Sequence, residues 1–291
     1  MGRQTRKKTD SAEIAIAYDF DGTLCDQPMQ NYRLLPELGY PDAAAIERFW
    51  QRSNRIARQE KADPICVYMH ELLAAAERRG RPLTRNLLER CGKAVQLRPG
   101  LTGRGNWFAR TAKMAAGRGY RLRHYIISSG LAEIIAGTEI AKWFAPDRIF
   151  ASAYLYDSAG RAQAPAWTIN HTTKTQFLFR INKGILDLGN DSGINNYVPE
   201  PIRPVPFSRI IFIGDGATDI PCFSIVRKQG GFALAVFAAD ALAASHDQIT
   251  GLINDKRIDG VAGGDFRAGS TLERLLGRII DEIATAPATG R

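Results

Sequence analysis

Ile14-Ala15-Ile16-Ala17-Tyr18 runs directly into Asp19-Phe20-Asp21-Gly22-Thr23-Leu24, and this stretch decides the fold. Five apolar residues closed by a glycine-containing turn are the pattern of a strand covered on both faces, where no polar alternation is needed. Asp19 and Asp21 stand two apart at its end, so in an extended conformation both carboxylates point the same way. Three further runs repeat the theme. Arg123-His124-Tyr125-Ile126-Ile127 ends in Ser128-Ser129-Gly130, and Arg209-Ile210-Ile211-Phe212-Ile213 ends in Gly214-Asp215-Gly216. The run from Phe232 to Phe237 follows Gly230-Gly231. Helical patterns lie between them, notably Trp107 to Arg118 and Thr172 to Asn182, with Gly184 placed as a helix terminator.

Strands alternating with helices predict an α/β protein with a doubly wound, Rossmann-like parallel sheet. One spacing breaks the rhythm. A strand–helix–strand unit takes roughly thirty residues, yet the first and second strands are separated by far more. The surplus is helical in pattern: Ile46, Phe49, Trp50 and Ile56 fall near one stripe, and Tyr68, Met69, Leu72, Leu73 and Ala76 form another. Asp63-Pro64 suits a helix start, and Arg98-Pro99-Gly100 marks the return. A small helical domain inserted after the first strand is therefore expected at 27–98, with the core made of 13–26 and 99–291. Residues 189–207, with four prolines, are expected to form a long irregular loop.

The chain has 291 residues, 45% hydrophobic and 24% charged, as in an ordinary globular protein. It shows no apolar run long enough to span a membrane. Met1 to Asp10 is polar and basic, unlike a secretory signal, so a cytoplasmic protein with a disordered basic tail at 1–12 is expected. The four cysteines (Cys25, Cys66, Cys91 and Cys222) are scattered, which suits free thiols in a reducing compartment. The net charge of +9 is uneven. Residues 27–98 hold 13 Lys/Arg against 8 Asp/Glu, a surplus that hints at a substrate with negative charge beyond one phosphate. The hint competes with plain solvation of helix faces.

Open parallel sheets bind ligands at the carboxyl ends of their strands. Asp19 and Asp21 occupy one such end and Asp215 and Asp219 another. Carboxylates gathered there would repel one another unless a cation sat among them, and oxygen-only donors suit Mg2+.

The whole pattern resembles the haloacid dehalogenase-like hydrolase superfamily, in its phosphoserine-phosphatase-like branch. Asp19-Phe20-Asp21-Gly22-Thr23-Leu24 is similar to that family's first motif, Ser128 to its second, Lys174 to its third, and Gly214-Asp215-Gly216-Ala217-Thr218-Asp219 to its fourth. The resemblance implies a magnesium-dependent phosphatase acting on a small-molecule phosphate monoester through an aspartyl-phosphate. Asp19 would be the nucleophile and Asp21 the general acid and base. Lys174 would neutralise charge between the phosphoryl group and Asp19. Thr23, Ser128, Ser129 and Lys174 would serve the phosphoryl group, with Ser128 preferred over Ser129 as the hydroxyl donor. Asp19, Asp21 (through its carbonyl) and Asp215 would bind the metal, with Asp219 orienting the metal site as an outer ligand. An acid at position 21 favours oxygen esters, whose leaving group needs a proton. The insertion at 27–98 would be the family's cap.

Rival readings are weaker. Lys183 stands beside Gly184, where a cation suits the helix dipole and needs no catalytic role. His124 and His171 find no vacancy in the motifs and read as structural. Cys25 reads as space-filling. A phosphotransferase or mutase could use the same residues. A nucleic-acid-binding protein acting on polynucleotide phosphate ends is disfavoured by the lack of any recognised motif or aromatic–basic interleaving. A non-enzymatic module would gain nothing from clustered carboxylates. The sequence assigns no oligomeric state.

Overall fold

The computed structural model describes residues 12–237 and 246–286. The tail expected at 1–12 therefore lies, up to residue 11, outside the described residues.

The first strand, β1 (Glu13–Tyr18), is central. After it come five helices: α1 (Met29–Tyr32), α2 (Leu34–Glu37), α3 (Ala43–Gln59), α4 (Pro64–Arg78) and α5 (Arg85–Gly92). The chain then alternates through α6 (Trp107–Ala116), β2 (Arg121–Leu131), α7 (Ala132–Ala136), β3 (Ile149–Tyr156), β4 (Ala162–Trp167), α8 (Lys174–Lys183) and α9 (Asp191–Asn195). It ends with β5 (Ile210–Gly214), α10 (Ile220–Lys228), β6 (Phe232–Phe237), α11 (His246–Asn254), β7 (Gly260–Gly263) and α12 (Thr271–Thr285).

The strands form one sheet in the order β4-β3-β2-β1-β5-β6-β7. Every neighbouring pair is parallel except β3 and β4. Ile14, Ile16 and Tyr18 face a core that includes Trp107, Ile134 and Leu276, whereas Ala15 and Ala17 face one that includes Phe177, Phe212 and Phe223. Helices thus cover both faces, which is the doubly wound arrangement and explains the unbroken apolar run in β1. Tyr18, Trp107 and His124 share a buried polar link: Trp107 Nε1 donates to the Tyr18 hydroxyl at 2.8 Å, and that hydroxyl lies 3.0 Å from His124 Nδ1. Burial drops the His124 pKa to about 3, so the ring is neutral and structural.

The helices between β1 and β2 bury Phe49, Tyr68, Met69, Leu72 and Leu88. The helix starts follow the sequence: Asp63 accepts from the amides of Ile65 at 2.7 Å and Cys66 at 3.1 Å, with Pro64 in the first turn. Arg48, Arg52, Arg55, Arg58, Arg78 and Arg79 are all exposed. The basic surplus of this segment is carried by solvated helix faces, so by itself it does not argue for a second anionic group on a substrate.

Three strands escape the apolar-run pattern. β4 reads Ala-Gln-Ala-Pro-Ala-Trp and is half exposed at the sheet edge, where Pro165 is tolerated. β3 exposes Leu155 and half-buries Ala153 and Tyr156 near its end, and β7 has only four residues. The loop expected at 189–207 contains the short α9 and a 3-10 turn at Glu200–Ile202. Among the described residues no helix is long and apolar enough to cross a membrane.

Candidate active site

The carboxyl ends of β1 and β5 lie side by side, because Asp19 donates its amide to the Ile213 carbonyl at 2.9 Å, continuing the ladder by one residue. This brings Asp19 against the Gly214-Asp215 turn and the first residues before α10. Asp19, Asp215 and Asp219 each offer a carboxylate oxygen, and the three oxygens lie within 4.8 Å of one another. Lys174, at the start of α8, reaches into the same place. Its Nζ is 2.8 Å from Asp19 Oδ1 and 2.8 Å from Asp219 Oδ1. Asp219 uses its other oxygen to accept from the Asp215 amide at 3.1 Å.

Glycines make this approach possible. A Cβ on Gly22 would stand 2.1 Å from Asp215 Oδ2, and one on Gly214 would stand 2.3 Å from Asp219 Oδ2. Gly22 also has φ +79, a left-handed conformation that other residues adopt only with strain. The glycine of the Asp-x-Asp-Gly-Thr sequence is thus required by the Asp215 carboxylate as well as by its own turn.

The electrostatics are those of crowded, desolvated anions. Burial, then the charge of Asp219, raises the pKa of Asp19 well above the carboxylate range against the pull of Lys174. Asp215 is pushed up to about 7 by burial and by Asp219. Burial alone would lower the Lys174 pKa, but Asp19 and Asp219 overcome it and hold the ammonium charged. One cation thus faces three carboxylates. A divalent cation with oxygen preference fits this donor set: it would supply the missing positive charge.

Asp21 stands apart from the triad. Its Oδ1 accepts from the Met29 amide at 2.8 Å and lies 3.7 Å from the Cys25 thiol, and burial pushes its pKa up to about 6. A hypothetical Cβ on Gly130 would lie 3.1 Å from its other oxygen, so Asp21 faces the carboxyl end of β2. Ser128 is fully buried and its hydroxyl accepts from the Gly130 amide at 3.0 Å. Ser129 is half buried, and its carbonyl accepts from the Tyr68 hydroxyl at 2.7 Å. Thr23 is fully buried with no partner for its hydroxyl. Lys183 instead ties down the loop after α8, donating to the carbonyls of Ile194 and Asn196. Cys25 is buried, and His171 is exposed.

Two contacts at the site were invisible in the sequence. Arg98 donates from Nη2 to the Gly22 carbonyl at 3.1 Å, bracing the turn from the far end of the helical insertion. Tyr68, which the sequence offers as core of the insertion or as a pocket-lining aromatic, reaches Ser129 from α4. Both depend on how the insertion folds back, and no local pattern encodes that.

This arrangement of fold and site has known counterparts. The chain aligns over 92% of its length with 99% of a solved phosphoserine phosphatase holding a phospho-aspartyl intermediate analogue, at 17% identity and a TM-score of 0.50. The fold is haloacid dehalogenase-like. A probable phosphoserine phosphatase from Vibrio cholerae, in unliganded form, matches 96% of this chain and 68% of its own at 12% identity and a TM-score of 0.53. An uncharacterized protein of Borreliella burgdorferi is 26% identical over 231 residues, 74% of this chain and 79% of that protein. No protein-family model matches the chain. Within the haloacid dehalogenase-like fold, the acidic cluster and Lys174 lie at the carboxyl ends of the central strands, where open α/β sheets place their ligands.

Proposed function

We propose that the protein is a magnesium-dependent phosphatase that hydrolyses a small phosphate monoester through an aspartyl-phosphate on Asp19. The observation that carries this reading is the meeting of Asp19, Asp215 and Asp219 within 4.8 Å around a single buried lysine. Such a set is costly to bury for structural reasons alone, because each desolvated carboxylate destabilises the others. Asp19, Asp215 and Asp219, with the Asp21 carbonyl, would hold the ion. When bound, it would supply positive charge toward the phosphoryl oxygens and the crowded carboxylates.

The chain's own residues then divide the work. Asp19 attacks phosphorus, forming an acyl-phosphate as the ester oxygen departs. Asp21, whose raised pKa of about 6 keeps a protonated fraction near neutrality, gives that oxygen its proton. It later takes a proton from the water that cleaves the acyl-phosphate, releasing inorganic phosphate. Lys174 offsets the charge of Asp19 as the anionic ester approaches. Ser128 and Thr23 are the hydroxyls assigned to phosphoryl oxygens or to the turn that carries Asp21, with Ser129 beside them. Residues 27–98 serve as the cap, and the Tyr68–Ser129 contact supports their docking over this end of the sheet.

A panel of phosphate esters assayed with magnesium tests the reading, with Asp19→Asn as control. We expect at least one ester to be turned over and the variant to lose roughly a thousandfold or more. Undiminished activity in Asp19→Asn would reject the nucleophile, and no turnover of any ester by the wild type would reject the phosphatase.

A further inference from the structure

The residue that begins the turn before the lysine's helix and the residue that caps α4 in the insertion are bonded to each other. Asn170 begins the turn leading into α8. Its side-chain Oδ1 accepts from the amides of Thr172 at 3.0 Å and Thr173 at 2.9 Å, while the Thr173 hydroxyl accepts from the Asn170 amide at 2.8 Å. This is the reciprocal pairing of a capping box. The Lys174 amide donates to the Asn170 carbonyl at 2.9 Å, so the catalytic-lysine position hangs directly on this turn. The remaining side-chain group of Asn170, Nδ2, donates to Asp63 Oδ2 at 2.6 Å. Asp63 spends its other oxygen, Oδ1, on the first amides of α4. One carboxylate therefore serves both the start of α4 and the turn that leads into α8.

We propose that Asp63 and Asn170 are positioning residues that lock the insertion to the lysine's turn, so that docking of α4 and placement of Lys174 are one event. The geometry is specific to this pair. Asp63 presents acceptors only, and Asn170 has just one group left, a donor. If α4 withdraws, the Asn170 amide loses its partner and the turn below Lys174 loses its brace. The consequence for turnover rests on the phosphatase reading above; the structural coupling does not.

A donor–acceptor swap tests it. Asp63→Asn keeps an oxygen for the amides of Ile65 and Cys66 but sets one amide group against another. Asn170→Asp keeps an oxygen for Thr172 and Thr173 but sets one carboxylate against another. The double variant restores one donor and one acceptor with the roles reversed. We expect each single variant to lower kcat about tenfold with KM changed less than about threefold, and to speed amide exchange at 172–176. The double variant should return within about threefold of wild type in both readouts. A loss due only to weakened folding would track the melting temperature rather than divide between kcat and KM. Wild-type kcat and exchange in the single variants, or a double variant no better than either, would overturn the proposal. If the wild type turns over no ester, the phosphatase reading fails and the exchange pattern alone decides the coupling.

Discussion

Lys174 Nζ lies 2.8 Å from an Asp19 oxygen, and Arg52 Nε lies 2.8 Å from a Glu71 oxygen. The two ion pairs have equal length and opposite meaning. The first is closed from solvent, with 1% and 6% of the two side chains exposed, and a second carboxylate, Asp219, shares the lysine. The second joins α3 to α4 with 52% of the arginine but 14% of the glutamate in water. Desolvation makes the first pair obligatory, since losing either partner strands a buried charge. Solvent around the arginine weakens the second, although its glutamate is mostly buried. Charge that matters here is charge taken out of water, and the chain does that at the carboxyl ends of β1 and β5 rather than on the helices with the surplus of arginine.

The largest effect should come from breaking the buried pair. Lys174→Met leaves Asp19 and Asp219 without their cation, and we expect a loss of about 3–5 kcal/mol in metal-free buffer, read by urea unfolding. The loss should grow from pH 5 to pH 8. Burial and Asp219 raise the folded-state pKa of Asp19 while Lys174 lowers it, so without the lysine the folded variant holds its proton to higher pH than wild type and keeps losing stability where wild type has levelled off.

A smaller effect of opposite sign should follow from Asp215→Asn. The folded pKa of about 7 means that ionised Asp215 is a liability without metal, and the penalty develops between about pH 4 and pH 7. At pH 8 without metal the variant should therefore be more stable than wild type, by on the order of 1–4 kcal/mol. At pH 4 the two should coincide. Magnesium should raise the melting temperature of wild type and not of the variant, as measured by calorimetry. A variant that magnesium stabilises equally would remove Asp215 from the metal site.

The smallest effect belongs to the half-exposed pair. Arg52→Met should cost about 1–2 kcal/mol, because Glu71 loses its partner, and leave turnover unchanged, with added salt shrinking the cost. A loss comparable to that of Lys174→Met would mean that the insertion depends on ion pairing far more than its exposure suggests.

The same physics explains what could be read from the sequence. β1, β2, β5 and β6 are legible because a strand covered on both faces needs apolar residues throughout, and the aspartates that follow β1 and β5 break that run abruptly. Lys174 is legible because Lys183, its competitor, sits at a glycine-stopped helix end. β4 is illegible because a half-exposed edge strand with Pro165 has no such pattern, and β7 is too short to show one. Asp63 can be recognised as a helix start, yet its bond to Asn170 depends on the return of the insertion, as does the reach of Arg98 to Gly22. Local chemistry announces caps, turns and buried strands. It does not announce which of them meet.

Acid quenching during turnover, followed by mass spectrometry of the peptide containing Asp19, tests the central claim most directly. The account predicts one phosphoryl group on Asp19, removed by hydroxylamine and absent in Asp19→Asn. Steady hydrolysis of the ester with that peptide unlabelled, or with the label on another residue, would contradict it.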